Sequence, residues 1–205
     1  MNTSIAVHGG AGVVGGALTK FFLDQEYEVR VYDPPQNKLD SVSDIDIHFL
    51  AVPTPFSKDS QKFDDTYIRQ SCEYIKSQRQ DKPTTIIIKS TVVPGTSKSL
   101  QDKYPSYSIL FSPEFLRART AHDNTINPER QIVGWTKEVQ KEECQRILRL
   151  LPKASYEAIL PATEAELIKY FSNAFLASKV IYANMIYNIC EKLEADYNIV
   201  KKAAK

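Results

Sequence analysis

The feature that most restricts the fold is a glycine-rich turn set between an apolar run and an amphipathic one. Residues 5–8 read as a strand. Gly10-Ala11-Gly12-Val13-Val14-Gly15 follows and opens a helical stretch over about residues 13–25. In this spacing the first glycine permits a tight turn, and the second lets a pyrophosphate approach the backbone. The third lets helix and strand pack closely. The helix start offers unpaired N–H groups and a positive dipole end to an anion, which makes Val13 and Val14 contact candidates beside the glycines. Asp33 closes the next apolar run, 18 positions after Gly15. That placement suits a carboxylate accepting hydrogen bonds from the hydroxyls of an adenosine ribose, and its charge would repel a 2′-phosphate. The pattern therefore favours NAD over NADP. The competing interpretation is a plain turn with Asp33 as a cap.

The rest of the chain agrees with a dinucleotide fold. Residues 28–32, 46–52, 85–89, 108–111 and 130–134 read as further strands, and those at 46–52 and 85–89 are nearly all apolar, as strands covered on both faces should be. Helices are expected around 64–79, 96–102 and 137–151, with a short second crossover helix around 37–43. Such alternation implies an α/β fold: a Rossmann-type, doubly wound parallel sheet over residues 1–152.

Residues 153–205 are expected to hold a long connecting helix. No Gly or Pro interrupts 163–193, and Thr163 with Glu166 has the form of a capping box. At 1.5 Å per residue such a helix is roughly 45 Å long, a length that bridges domains or subunits. Leu167, Phe171, Ala174, Phe175, Ser178, Ile181, Tyr182, Met185, Ile189 and Leu193 share one stripe, expected to be core or interface. The opposite face mixes Glu166, Lys169, Asn173, Ala177, Val180 and Asn184. A short helix is expected after Asp196.

With 26 basic and 25 acidic side chains the net charge is near zero, which gives no reason to expect nucleic acid or an anionic membrane as partner. No leader-like or membrane-spanning run is visible, so the expected location is cytoplasmic. Cys72, Cys144 and Cys190 are odd in number and far apart. They read as buried small hydrophobes, and no metal site is expected.

Two loops fall at the carboxyl ends of strands, where open α/β sheets bind ligands. One is Val52-Pro53-Thr54-Pro55, the other Lys89-Ser90-Thr91-Val92-Val93-Pro94-Gly95-Thr96. Prolines stiffen both. The hydroxyls of Thr54, Ser90 and Thr91 suit either cofactor contact or turn formation.

Taken in order, the glycine turn, Asp33, these two loops, Ser112-Pro113-Glu114-Phe115-Leu116, Asn127-Pro128-Glu129-Arg130 and the run Glu166-Leu167-Ile168-Lys169-Tyr170 before Asn173-Ala174-Phe175 make the chain resemble the UDP-glucose/GDP-mannose dehydrogenase family. The resemblance implies oxidation of a nucleotide-sugar alcohol, such as UDP-glucose, to a carboxylate with NAD. It implies cofactor contacts at Gly10, Gly12, Val13, Val14, Gly15, Asp33, Lys38, Val52, Thr54, Ser90 and Thr91. Glu114 would handle protons or water, and Lys169 with Asn173 would stabilise negative charge on oxygen; i and i+4 share a helical face. The competing readings are a merely solubilising Lys38 and a surface Lys169 and Asn173.

Ala118-Arg119 stands where the family usually has Glu-Gly, and Met185 where an acid often follows. None of the three cysteines holds the place of the family's nucleophile, so the chain by itself is expected not to complete the oxidation. The resemblance also implies that 153–205 form the start of a truncated central dimerisation domain, with a homodimer through 163–193. Two other readings remain: a relative of the β-hydroxyacid dehydrogenases, which share Lys-x-x-x-Asn on a long helix, and a non-catalytic NAD-binding or dimerising module.

Overall fold

The computed structural model describes residues 3–59, 61–79, 82–115 and 125–204. Two compact units divide between Lys169 and Tyr170. In chain order the strands are β1 Ser4–His8, β2 Glu28–Asp33, β3 Lys38–Leu39, β4 Ile47–Leu50, β5 Phe56–Ser57, β6 Lys62–Phe63, β7 Thr85–Ile88, β8 Ser108–Phe111, β9 Arg130–Trp135 and β10 Tyr156–Pro161. The helices are α1 Val13–Asp24, α2 Thr66–Arg79, α3 Thr96–Lys103, α4 Lys141–Leu150, α5 Ala162–Lys192 and α6 Tyr197–Ala203.

In the first unit eight strands form one sheet in the order β10-β9-β8-β7-β4-β1-β2-β3. The pairings from β2 to β8 are parallel, as is β10 on β9, whereas β3 on β2 and β9 on β8 are antiparallel. β4 and β7 are buried along their whole length, as their apolar sequences require. One sheet face packs Ile5, Val7, Ile47, Phe49 and Ile87 against Leu18 and Phe22 of α1 and Cys144 and Ile147 of α4. The other packs Leu50, Ile86, Ile88 and Ile109 against α2, α3 and Ala165 at the start of α5.

Three elements differ from the expectation. The short crossover helix around 37–43 is replaced by a 3-10 turn, Pro34–Gln36, and the two-residue strand β3. The reason is local: Pro34 and Pro35 remove two N–H donors directly after β2, and Asn37 reverses the chain in the left-handed region at φ 54°. The hairpin β5–β6 and the edge strand β10 are additional, and β10 belongs to the first unit's sheet. The capping box is also corrected. Glu166 does not turn back to Thr163; its carboxylate reaches the start of α3.

The second unit holds α5 from Tyr170 onward and α6, which Asp196 caps through the N–H groups of Asn198 at 2.7 Å and Ile199 at 3.4 Å. Within it Phe171, Phe175, Ile181, Tyr182, Met185, Ile189 and Leu193 are exposed. At the start of α5, in the first unit, the assignment of faces is reversed: Leu167 is exposed while Glu166 and Lys169 are buried. Among the described residues no helix is long and apolar enough to cross a membrane, and no cluster of metal-ligating groups occurs.

Candidate cofactor and active site

After β1 and β2 the chain crosses back to the other side of β1 to form β4, so the sheet's switch point lies between β1 and β4. The glycine turn stands there. Its left-handed residue is Gly9, at φ 75°, one position before the glycine to which the motif assigns the tight turn. The N–H of Gly12 closes the turn on the Gly9 carbonyl at 3.1 Å. A Cβ on Gly9 would lie 2.6 Å from the Ala51 carbonyl oxygen, and one on Gly15 only 2.2 Å from that of Gly9. Gly15 therefore brings α1 against the turn itself. A Cβ on Gly10 would press on Val31 at 2.8 Å. Gly12 is exposed and caps α1 without any side-chain bond, and no acid occupies the first helical turn. The starts of Val13, Val14 and Gly15 thus keep the donors and dipole that an anion needs.

Asp33 is buried at 8% exposure, and its Oδ2 accepts the N–H of Ala11 at 3.0 Å. It joins the end of β2 to the glycine turn, and a carboxylate with one such bond retains acceptor capacity for a ribose. Lys38 is exposed and lies opposite Asp33 in the β2–β3 register.

The two proline-stiffened loops are laced together. Thr54 Oγ1 donates to the Thr91 carbonyl at 2.7 Å, and Ser90 Oγ donates to the Val52 carbonyl at 2.6 Å. Both hydroxyl protons serve the loops, which leaves their oxygens as acceptors.

At the carboxyl end of β8, Ser112-Pro113-Glu114 meets α5. Lys169 is buried at 5% exposure, and its Nζ donates to the Glu114 carbonyl at 2.6 Å and to Oε1 at 2.9 Å. Two of the ammonium's three N–H groups are thereby oriented by Glu114, and the third suits an oxygen of a ligand. The Phe115 ring flanks the pair, with Lys169 Nζ 5.5 Å and the Arg130 guanidinium 4.1 Å from its centroid. Asn173 is exposed and belongs to the second unit. Leu116, Ala118 and Arg119 lie outside the described residues.

Two buried charged groups have partners that sequence reasoning did not assign. Glu166 accepts from the Gly95 N–H at 2.5 Å, the Ser97 N–H at 2.8 Å and the Ser97 hydroxyl at 2.6 Å. Burial pushes its carboxyl up, while these donors oppose the shift. Lys89 donates to Ser112 Oγ at 3.2 Å, two residues before Glu114. A lysine ending an otherwise apolar strand was the available signal. Cys72, Cys144 and Cys190 are all buried, as expected, and burial pushes the thiols of Cys72 and Cys144 up to about 12.

NAD fits these residues: the uncapped helix start takes a pyrophosphate, the open approach at Gly12 admits it, and Asp33 is placed for a ribose. Fold and site together define a Rossmann-type dinucleotide-binding domain of the dehydrogenase class. The family model for the NAD-binding domain of UDP-glucose/GDP-mannose dehydrogenases matches residues 36–151, more than half of the chain, and that for the family's central domain matches 163–205. This chain belongs to the UDP-glucose/GDP-mannose dehydrogenase family.

It is 37% identical to a UDP-glucose 6-dehydrogenase of Rickettsia bellii over 163 residues, covering 75% of this chain and 36% of that protein. With a UDP-glucose 6-dehydrogenase of Bacillus subtilis it shares 34% identity, over 76% of this chain and 34% of the relative. The chain thus spans about a third of these relatives. The glycine turn and Asp33 precede the family-model match. In fold they are covered by a UDP-glucose dehydrogenase structure from Pyrobaculum islandicum, with TM-score 0.84, 24% identity, and coverage of 100% of this chain and 56% of that one.

Proposed function

We propose that this chain is the NAD-binding portion of a nucleotide-sugar 6-dehydrogenase acting on UDP-glucose or a close analogue. The observation that carries this is the buried Lys169–Glu114 pair, on the same edge of the sheet as the glycine turn. NAD, when bound, supplies the hydride acceptor. Gly9, Gly10, Gly12 and Gly15 shape the turn that receives it. The N–H groups starting with Val13 and Val14 face its phosphates, and Asp33 and Lys38 serve its adenosine end. Val52, Thr54, Ser90 and Thr91 form the stiff wall beside it.

Lys169 would place its third N–H on the substrate oxygen, which gains negative charge as its hydroxyl proton is taken and gives it up as the hydride leaves carbon for NAD. Fixed donors of this kind need no reorganisation at the moment of reaction. Glu114 keeps that ammonium oriented and takes or returns a proton from its carboxylate. Asn173 is assigned to oxyanion stabilisation on the family resemblance alone.

No cysteine of this chain suits a covalent aldehyde adduct: all three are buried, and two thiols are held far above the neutral range. The isolated chain is expected to bind NAD in calorimetry without steady NADH production from UDP-glucose. Failure to bind NAD would overturn the whole reading. Steady turnover would overturn the statement about the cysteines. We assign a homodimer through residues 163–193 on the exposed apolar stripe of the second unit.

A further inference from the structure

We propose that Lys89 is a positioning residue for the Glu114–Lys169 pair, its buried ammonium fixing Ser112 and, through Pro113, the backbone from which Glu114 projects. The proposal rests on the reading above for what Glu114 and Lys169 do, but its geometry is independent of that reading.

Lys89 directly follows β7, and Ser112 directly follows β8, so the parallel register of Ile88 with Phe111 sets the two side by side. Both are buried, at 6% and 0% exposure. Main-chain bonds fix each: Lys89 N–H to the Leu50 carbonyl at 2.8 Å and Ser112 N–H to the Ile88 carbonyl at 2.9 Å. The ammonium then donates to Ser112 Oγ, two residues before Glu114. Packing does not call for a lysine here, since Thr85–Ile88 is sealed by apolar groups and a buried charge costs several kcal/mol unless it is compensated.

Among the described residues the charged groups that act on Lys89 are Glu114, from the loop after β8, and Lys169, from α5. Burial is the largest influence and lowers the Lys89 ammonium from 10.5 to about 8; Glu114 opposes the shift and Lys169 adds to it. The Glu114 carboxylate is therefore coupled to two ammonium groups, Lys169 by hydrogen bond and Lys89 electrostatically, and the charge of the second changes in the mildly alkaline range. An ammonium too distant to act on Glu114 would leave that carboxyl without a response to its titration.

The test is NMR on the 205-residue chain with 13C at lysine Cε and glutamate Cδ, titrated from about pH 6 to 10.5. One lysine is expected to titrate near pH 8, and the Glu114 carboxyl, assigned by Glu114→Gln, should inflect at the same pH. In Lys89→Met both features should vanish. Should that variant fail to fold, Lys89→Arg and the unmodified chain still decide, because the arginine keeps its charge and the Glu114 inflection must disappear. A Lys89 signal that titrates with the surface lysines, or a Glu114 carboxyl without an inflection, overturns the proposal. NAD affinity measured on the same samples separates the two claims. Coupled titration without NAD binding removes the proposed function alone, and binding without coupling removes Lys89 alone.

Discussion

Glu166 Oε1 accepts the backbone N–H of Ser97 at 2.8 Å, although the two residues lie 69 positions apart on different helices. Both are fully buried. The carboxylate serves α3 as a cap borrowed from α5, and it ties the loop carrying Thr91 to the helix carrying Lys169. Glu166→Ala leaves the N–H groups of Gly95 and Ser97 without an acceptor. At roughly 1–3 kcal/mol for each of these two unsatisfied groups, urea denaturation should report a loss of about 2–6 kcal/mol. An unchanged midpoint would refute the cap.

Asp33 holds the glycine turn through Ala11 and is proposed to accept from a ribose as well. Asp33→Ala should weaken NAD binding by about ten- to a hundredfold, since hydrogen bonds to a charged group are worth roughly 1.5–3 kcal/mol. NADP, no longer repelled, should lose less. Calorimetry with both cofactors checks this, and an equal loss for the two would sink the selectivity argument.

Two glycines on α1 make opposite predictions. Gly15→Ala drives a Cβ into the Gly9 carbonyl, a backbone atom that cannot swing aside, so stability should fall by about 1–3 kcal/mol and NAD affinity with it. At Gly16 the nearest atom is 3.5 Å from the added Cβ. Gly16→Ala should therefore stabilise the helix by about 0.5–1 kcal/mol. Thermal denaturation of the pair tests the sign.

His8 and His48 form a buried pair on the sheet face toward Tyr32 and Tyr74. His48 Nε2 donates to the Ile45 carbonyl at 2.8 Å, so its Nδ1 accepts from His8 Nε2 at 3.1 Å. Among the described residues His8 Nδ1 has no partner, and both rings are neutral. Burial holds His8 well below 6.5 and His48 at about 4. The unfolded chain takes up protons below pH 6.5 that the folded chain refuses, so stability is full above 6.5 and falls as pH drops toward 4. For His48 alone this amounts to about 2 kcal/mol at pH 5. Urea midpoints at pH 7 and pH 5 measure it, and His48→Gln should shrink the difference.

The exposed stripe of the second unit should drive association. Sedimentation at micromolar concentration is expected to give a dimer for the unmodified chain and a monomer for Ile181→Glu combined with Met185→Lys. A monomeric parent chain would remove the assignment.

Much of the site was legible because its local chemistry repeats in the sequence. A glycine pattern, a carboxylate at fixed distance and apolar strand runs each act over a few residues, and all appear where expected. Pro34-Pro35 was legible too, yet its effect on the following helix was underweighted. β10 escaped because an edge strand has no pattern of its own; it becomes a strand by pairing with β9.

The sequence by itself determined the alternation of strand and helix, the glycine turn with Asp33, and the residue types able to hold NAD, because periodicity and backbone sterics are short-range. Only the tertiary structure decided which charges are buried and what they meet. Glu166 reads as its own helix's cap and serves another; Lys89 reads as the end of a strand and bonds Ser112 after β8; Leu167 reads as core and is exposed. Each outcome depends on which elements the sheet order brings together, and contacts across about 70 positions leave no trace in local spacing.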